Sequence, residues 1–191
     1  MTSAMEQLYQ QVILDHARDP HGRGLDADGM ADGRDAGAPA GQAWGESHQV
    51  NPTCGDEVTL RVEIDTTGGS PVLRSVHWDG QGCSISQASV SVLTDLVTGA
   101  DLTEVDRLAE TFRLLMHARG AGLDPEQEDA LGDATAFTGV AKYPARIKCA
   151  LLGWAALRDA VVRSGAGTSA PNVAMSASTT QSTITSVKEL R

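Results

Sequence analysis

The sequence is short of positive charge. It has 15 Lys and Arg residues against 25 Asp and Glu residues, so its formal net charge is -10 and its isoelectric point is about 4.8. A chain with this excess of negative charge is repelled by the phosphate backbone of nucleic acid and by an anionic membrane surface. We therefore expect neither nucleic acid nor a membrane among its partners.

Long apolar runs and a secretion signal are also missing. Nowhere do about eighteen apolar residues follow one another, and residues 1–16 have no basic start followed by a continuous apolar stretch. These absences predict a soluble, cytoplasmic protein.

The three cysteines are an odd number, which fits poorly with a disulfide framework. In a reducing compartment, several cysteines more often indicate metal binding or catalysis.

The hydropathy pattern predicts an α+β fold. Residues 5–18 have apolar positions at helical spacing, and the helix is expected to stop near Asp19 and Pro20. Residues 57–65 alternate between apolar and polar side chains, which is typical of a half-buried strand. A short turn then leads to an antiparallel strand over 72–78, and a third strand is predicted over 44–50. Helices are expected after Cys83, from the capping sequence at 101–104, after Pro125 and from Pro144.

The chain length predicts one domain, over residues 1–163. Residues 21–45 are rich in Gly, Asp and Ala without periodicity, so we expect a mobile loop there. Residues 164–191 are rich in Ser, Thr and Ala and are expected to form a disordered tail.

The candidate site consists of the three cysteines and one aspartate. Cys54 and Asp56 flank a glycine in a turn before a strand, Cys83 lies between a strand and a helix, and Cys149 lies in the first turns of the last helix. If these three boundaries meet at one end of the domain, they provide three thiolates and a carboxylate, which suit tetrahedral zinc. The spacing lacks CxxC pairs, so the residues alone leave open that the cysteines are inert core side chains.

Four segments of the chain resemble the SufU and IscU superfamily of iron-sulfur cluster assembly proteins. They are YQQVILDH at 9–16, NPTCGD at 51–56, GQGCSISQAS at 80–89 and RIKC at 146–149. They occur in the family's order within a resemblance that covers about residues 5–163. The resemblance implies an IscU-like, or SufE/NifU-like, fold.

Two features resemble the SufU branch more than the scaffold branch. Lys148 stands where the scaffold branch has a histidine, immediately before Cys149. The interval between Cys83 and Cys149 is long, and its helical material at about 103–133 resembles the SufU insertion.

This resemblance implies a zinc-dependent sulfurtransferase that takes persulfide sulfur from a SufS-type cysteine desulfurase and serves downstream iron-sulfur assembly proteins. It implies that Cys54, Asp56, Cys83 and Cys149 bind the metal. Cys54 is further expected to be the sulfur acceptor, freed from zinc by a histidine of the desulfurase. Arg146 matches a family position near the site, and we expect it to assist sulfur transfer or to balance the charge of the site.

Two other functions remain open from the sequence. One is an IscU-like scaffold that assembles a transient iron-sulfur cluster on the same four ligands, although Lys148 argues against it. The other is a purely structural zinc module that docks to a partner. His16 is expected to be structural or to face a partner, rather than to bind metal.

Overall fold

The protein was analysed as a computed structural model, which describes residues 4–25 and 40–168. A first helix, α1, precedes three strands and four further α-helices. Their bounds are α1 Ala4–Arg18, β1 Gln42–Val50, β2 Glu57–Asp65, β3 Val72–Gln81, α2 Ser84–Val97, α3 Leu102–His117, α4 Pro125–Leu131 and α5 Pro144–Ser164. Two 3₁₀ helices, Gly132–Lys142 and Ala166–Thr168, lie on either side of α5.

The three strands form one antiparallel sheet in the order β1-β2-β3. Alternation along β2 buries one apolar set, Val58, Leu60, Val62 and Ile64, each at most 2% exposed. Helix α5 packs against β1 and β2. Each strand pairs with its neighbour in the sequence, and Glu57 pairs with both Val50 and Gln81. The β1-β2 turn and the C-terminal end of β3 therefore lie at the same end of the sheet.

The helical part of the core is organised around three aromatic rings. Phe112 of α3 stacks on Trp154 of α5 with ring centroids 4.7 Å apart, and it meets Phe137 of the first 3₁₀ helix edge-on at 5.6 Å. All three are buried. This packing ties α3 and the 3₁₀ helix to α5, which carries Cys149.

The predicted order of elements is confirmed. The strand over 57–65 has the predicted bounds, and the capping sequence starts α3, since the Asp101 carboxylate accepts the Glu104 N–H at 2.9 Å. The 3₁₀ helix Gly132–Lys142 was not predicted. Helix α1 is less buried than its apolar pattern suggests: none of its residues is fully buried and Leu8 is 57% exposed.

The loop predicted over 21–45 is too wide at both ends. Trp78 donates its backbone N–H to the Gly22 carbonyl, and Gly24 donates to the Trp78 carbonyl, so the first residues of the loop lie along β3. At the other end β1 begins at Gln42. The first residues of the predicted 164–191 tail are ordered, because Ser164 ends α5 and Ala166–Thr168 form a 3₁₀ helix. The rest of the predicted loop, 26–39, and the tail beyond residue 168 lie outside the described residues.

Within the described ranges, no helix combines the length and apolar character that spanning a bilayer requires.

Candidate metal centre

The turn between β1 and β2 carries the first two site residues. Its hydrogen bonds close on Asn51, whose carbonyl accepts the N–H groups of Cys54 at 3.3 Å and Gly55 at 2.8 Å. The Asn51 N–H donates to the Asp56 carbonyl at 2.8 Å. Gly55 has a φ of +76°, a left-handed conformation that glycine adopts without a Cβ clash. The turn therefore fixes Cys54 and Asp56 on either side of a residue whose backbone conformation favours glycine.

The Asp56 carboxylate connects this turn to the start of α2. It is 4% exposed, and Oδ1 accepts the backbone N–H of Cys83, the residue that precedes α2, at 3.2 Å. Its Oδ2 lies 3.3 Å from Cys83 Sγ. At Gly82 a side chain would collide with this carboxylate, because an added Cβ would lie 2.8 Å from Asp56 Cγ.

Helix α5 brings Cys149 to the same place. Cys149 Sγ lies 3.4 Å from Cys54 Sγ and accepts a hydrogen bond from the Asn51 side-chain amide at 3.6 Å. One ligand atom from each of Cys54, Asp56 and Cys149 lies within 4.8 Å of the others. Cys83 is outside this group of three, but its Sγ contacts the Asp56 carboxylate.

The thiols differ in their exposure. Cys149 is buried at 5% exposure, whereas Cys54 and Cys83 are exposed. All three are free of disulfide bonds. A reagent or partner arriving from solvent can therefore reach Cys54 and Cys83, while Cys149 is held behind them in the helix.

The surroundings of Cys149 and Asp56 shift the pKa values of the two groups in opposite directions. Burial raises the pKa of the Cys149 thiol far above its ordinary value, and hydrogen bonding to Cys54 and Asp56 raises it further. Burial alone would raise the pKa of Asp56, but hydrogen bonds from Cys83, Cys149, Ser86 and Cys54 outweigh it, and the pKa lies below its ordinary value. The site thus holds a carboxylate beside one buried thiol, Cys149, that resists ionisation.

The donor set fits a tetrahedral zinc ion. With Zn–S bonds of about 2.3 Å, two thiolates on one zinc lie about 3.8 Å apart, and a thiolate and a carboxylate oxygen lie about 3.5 Å apart. The Cys54–Cys149 distance of 3.4 Å and the Cys83–Asp56 distance of 3.3 Å are close to these values. A cation would also remove the obstacle to ionising Cys149, because a metal-bound thiol is deprotonated.

Of the predicted site residues, the structure brings Cys54, Asp56 and Cys149 together, and Cys83 contacts the Asp56 carboxylate. Arg146 is exposed, and its guanidinium lies over the Tyr143 ring at 5.2 Å. The contacts of Arg146 with described residues do not include the thiols. The neighbouring Lys148 reaches the turn instead, with Nζ 3.4 Å from Thr53 Oγ1.

Sequence reasoning missed two polar residues of the site. The Asn51 amide contacts Cys149, and the buried Ser86 hydroxyl donates to the Cys83 carbonyl at 2.9 Å. Asn51 stands within the NPTCGD segment and Ser86 within GQGCSISQAS, three residues from a cysteine in each case. That proximity is the signal that could have identified them.

Comparison with known proteins gives one matching family and several full-length relatives. The family described as NifU-like N-terminal domain matches residues 8–162. The zinc-dependent sulfurtransferase SufU of Bacillus subtilis is 33% identical over 165 residues, covering 85% of this chain and 95% of that protein. The iron-sulfur cluster assembly scaffold protein IscU of Streptococcus pyogenes is 36% identical over 163 residues, covering 85% of this chain and 87% of that protein.

A solved structure shares the fold. It is a candidate iron-sulfur cluster assembly scaffold protein for the SUF system from Fervidobacterium islandicum. It is 29% identical to this chain, with a TM-score of 0.60, and the match covers 82% of this chain and 98% of the other. The two proteins therefore share an N-terminal helix, an antiparallel sheet and C-terminal helices.

Proposed function

This chain belongs to the NifU-like N-terminal domain family, and on that premise we propose that it is a zinc-dependent sulfur acceptor in iron-sulfur cluster assembly. Its sulfur donor is a cysteine desulfurase of the SufS type, and its product serves the downstream assembly proteins. The similarity to a relative named as a zinc-dependent sulfurtransferase supports this function, because the match covers 95% of that protein. The unpaired cysteines suit a reducing, cytoplasmic setting.

The unequal burial of two adjoining thiols carries the proposal. Cys54 is exposed on a turn, and Cys149 is buried in a helix only 3.4 Å away. A cysteine that only binds a metal or cluster can remain buried. A sulfur acceptor must be accessible, because its thiolate has to lie in line with the S–S bond that it breaks. Cys54 and Cys83 both meet this condition; the resemblance to SufU points to Cys54, and Cys149 suits a ligand that stays in place.

Cys54, Asp56, Cys83 and Cys149 would hold the zinc ion. Bound there, zinc keeps thiols ionised at neutral pH and has no redox chemistry of its own. Asn51 orients Cys149 by donating to its sulfur, and Asp56 fixes the Cys83 backbone. The chain thus sets the position of each sulfur before any partner arrives.

The transfer step is a thiol-persulfide exchange. The Cys54 thiolate attacks the terminal sulfur of the desulfurase persulfide and forms a new S–S bond. The S–S bond within the desulfurase persulfide breaks, and the desulfurase cysteine leaves as a thiolate with the electron pair. No electron acceptor is needed, because the sulfur keeps its oxidation level as it moves.

Two basic residues support the same site. Lys148 lies over the turn that carries Cys54, and Arg146 stands three residues before Cys149, on the same face of α5. Their charges offset the net -2 of three thiolates and a carboxylate on a divalent ion. We propose that Arg146 assists the encounter between this protein and the persulfide of the desulfurase.

Helices α3 and α4 are further proposed to correspond to the SufU-type insertion at about 103–133.

A scaffold for a nascent iron-sulfur cluster is the second candidate. The relative named IscU is as similar to this chain as the sulfurtransferase, and iron accepts the same thiolates as zinc. Lys148, in place of a histidine beside Cys149, favours the sulfurtransferase.

Two measurements on one sample distinguish these functions. Protein purified without oxygen is analysed for zinc, iron and labile sulfide, and the turnover of a SufS-type desulfurase is measured with and without it. We expect about one zinc per chain and a faster desulfurase. Iron with labile sulfide and visible absorption indicates the scaffold, whereas zinc without any change in turnover indicates a structural zinc module.

A further inference from the structure

A second cluster of potential metal ligands lies where the end of α1 and the residues after it meet α2. We propose that His16, His21 and Asp95 form a site for a divalent first-row transition-metal ion. One ligand atom from each of the three lies within 4.8 Å of the others. His21 Nδ1 is 2.6 Å from Asp95 Oδ2, and the two imidazole rings meet edge-on with centroids 5.1 Å apart.

The elements that carry this cluster are held together by a buried serine. Ser91 in α2 is fully buried, and its hydroxyl oxygen lies 2.8 Å from His16 Nδ1 and accepts the backbone N–H of His21 at 2.8 Å. His16 is in the last turn of α1. One hydroxyl therefore fixes both histidines against α2, one turn before Asp95.

This support is the kind found behind metal-bound histidines. A ligating histidine usually donates its other ring N–H to a neighbouring oxygen, which fixes the ring and its tautomer. When His16 Nδ1 donates to Ser91, its Nε2 keeps the lone pair that binds a metal. Asp133 Oδ2 lies 3.8 Å from that Nε2, but Asp133 does not belong to the group of three ligand atoms that lie within 4.8 Å of one another.

The donor set identifies the class of ion. Two imidazoles and one carboxylate suit zinc, nickel, cobalt or iron(II), whereas magnesium and calcium prefer oxygen ligands only. His16 is pre-positioned with a side chain only 10% exposed, while the side chains of His21 and Asp95 are about half exposed. An ion from solvent can therefore reach a site whose innermost ligand is already fixed.

This site is separate from the cysteine group and does not depend on the proposed function. Ser91 and Asp95 follow Cys83 by eight and twelve residues along α2, which corresponds to about 12 and 18 Å of helix. Two sites this far apart cannot share one ion.

Nickel binding to the full-length protein tests the site. Protein carrying one equivalent of zinc is titrated with Ni²⁺ by calorimetry, and its histidine ring signals are followed by NMR. We expect one further equivalent to bind, with paramagnetic broadening of the His16 and His21 rings while those of His48 and His117 stay sharp. His21→Ala and Asp95→Asn should each weaken nickel binding by about tenfold or more.

His48→Ala is the matched control, because His48 contacts Thr59 on the sheet and should leave nickel binding unchanged. Zinc content and circular dichroism confirm that each variant is folded. If His21→Ala unfolds, the decision falls to Asp95→Asn, which keeps the side-chain shape. Absence of saturable nickel binding, equal affinity in the folded variants, or broadening centred on another histidine would show that the cluster is only an ion pair attaching the 21–25 segment to α2.

Discussion

Cys54 Sγ and Cys149 Sγ lie 3.4 Å apart, although 95 positions separate them in the sequence. The β1-β2 turn presents the first thiol, and α5, packed across the sheet, presents the second. Their closeness depends on the whole domain, because it requires α5 to pack against β1 and β2 and the core around Trp154.

Asn51 should affect metal affinity without touching the metal. Its amide donates to Cys149 Sγ, so Asn51→Ala leaves that sulfur without its orienting partner. We expect zinc affinity to fall by about 10- to 100-fold, as for other residues that orient a ligand. Competition with a chromophoric chelator measures this. Gln49→Ala is the control, because the Gln49 amide contacts Ser47 instead; equal affinities for the two variants would contradict the role of Asn51.

Gly82 should tolerate no side chain. A Cβ there would lie 2.5 Å from Ser86 Oγ and 2.8 Å from Asp56 Cγ. Gly82→Ala should therefore lower the free energy of unfolding by about 1–3 kcal/mol and reduce zinc affinity, because the buried carboxylate is displaced. Gly69→Ala, in the β2-β3 turn with nothing within 4 Å, is the matched control. Urea unfolding that gives the two variants the same stability would show that Asp56 is not packed as described.

Without metal, the free energy of unfolding should fall as pH rises into the alkaline range. The pKa of Cys149 is raised in the folded state by burial and by Cys54 and Asp56, so the folded metal-free protein holds this proton more tightly than the unfolded chain. Its contribution is fully present below the ordinary thiol pKa of about 9.0 and is lost as pH rises beyond it.

Urea unfolding of chelator-treated protein between pH 7 and pH 10 measures the effect. Cys149→Ser should show a smaller decline over this range than the wild type, and zinc should suppress the decline because it binds the thiolate. A wild-type decline no steeper than that of Cys149→Ser would contradict the raised pKa.

Arg146 should affect how fast this protein and the desulfurase persulfide meet, and it should leave metal binding unchanged. Arg146→Ala should lower desulfurase stimulation by about tenfold at low ionic strength, since local positive charge speeds the approach of an anionic persulfide. The difference should shrink as salt is added. Zinc content should stay the same, because the contact of Arg146 is with the Tyr143 ring.

Arg158→Ala, on the same helix but farther from Cys149, provides the comparison. Equal stimulation by the two variants would remove Arg146 from the mechanism, and loss of zinc from Arg146→Ala would make it a structural residue.

The sequence was informative where local rules decide the structure. The alternation of Val58, Leu60, Val62 and Ile64 predicted β2 within its observed bounds, and the Asp101 cap predicted the start of α3. Cys54, Cys83 and Cys149 could be placed at element boundaries for the same reason. That those boundaries meet depends on how α5 packs on the sheet, and for this the prediction relied on family resemblance.

Other features could not be predicted because they arise from distant parts of the chain. His21 and Asp95 are 74 positions apart, and only the packing of α1 on α2 brings them to 2.6 Å. The 3₁₀ helix Gly132–Lys142 lacks a strong helical period, and its Phe137 is fixed by packing against Phe112. Leu8 is 57% exposed, and the other members of its apolar stripe, Tyr9, Val12 and Ile13, are only partly buried, so the periodicity overstated the burial of α1.

Sulfur transfer to Cys54 is the central claim, and mass spectrometry of the persulfidated protein tests it most directly. After one turnover with a SufS-type desulfurase and cysteine, the wild-type protein should carry one extra sulfur on the peptide that contains Cys54. The Cys54→Ser variant should carry none and should leave the desulfurase at its unstimulated rate. A Cys54→Ser protein that stimulates the desulfurase like the wild type, or an extra sulfur found on Cys83 or Cys149 instead, would contradict the assignment of Cys54 as the acceptor.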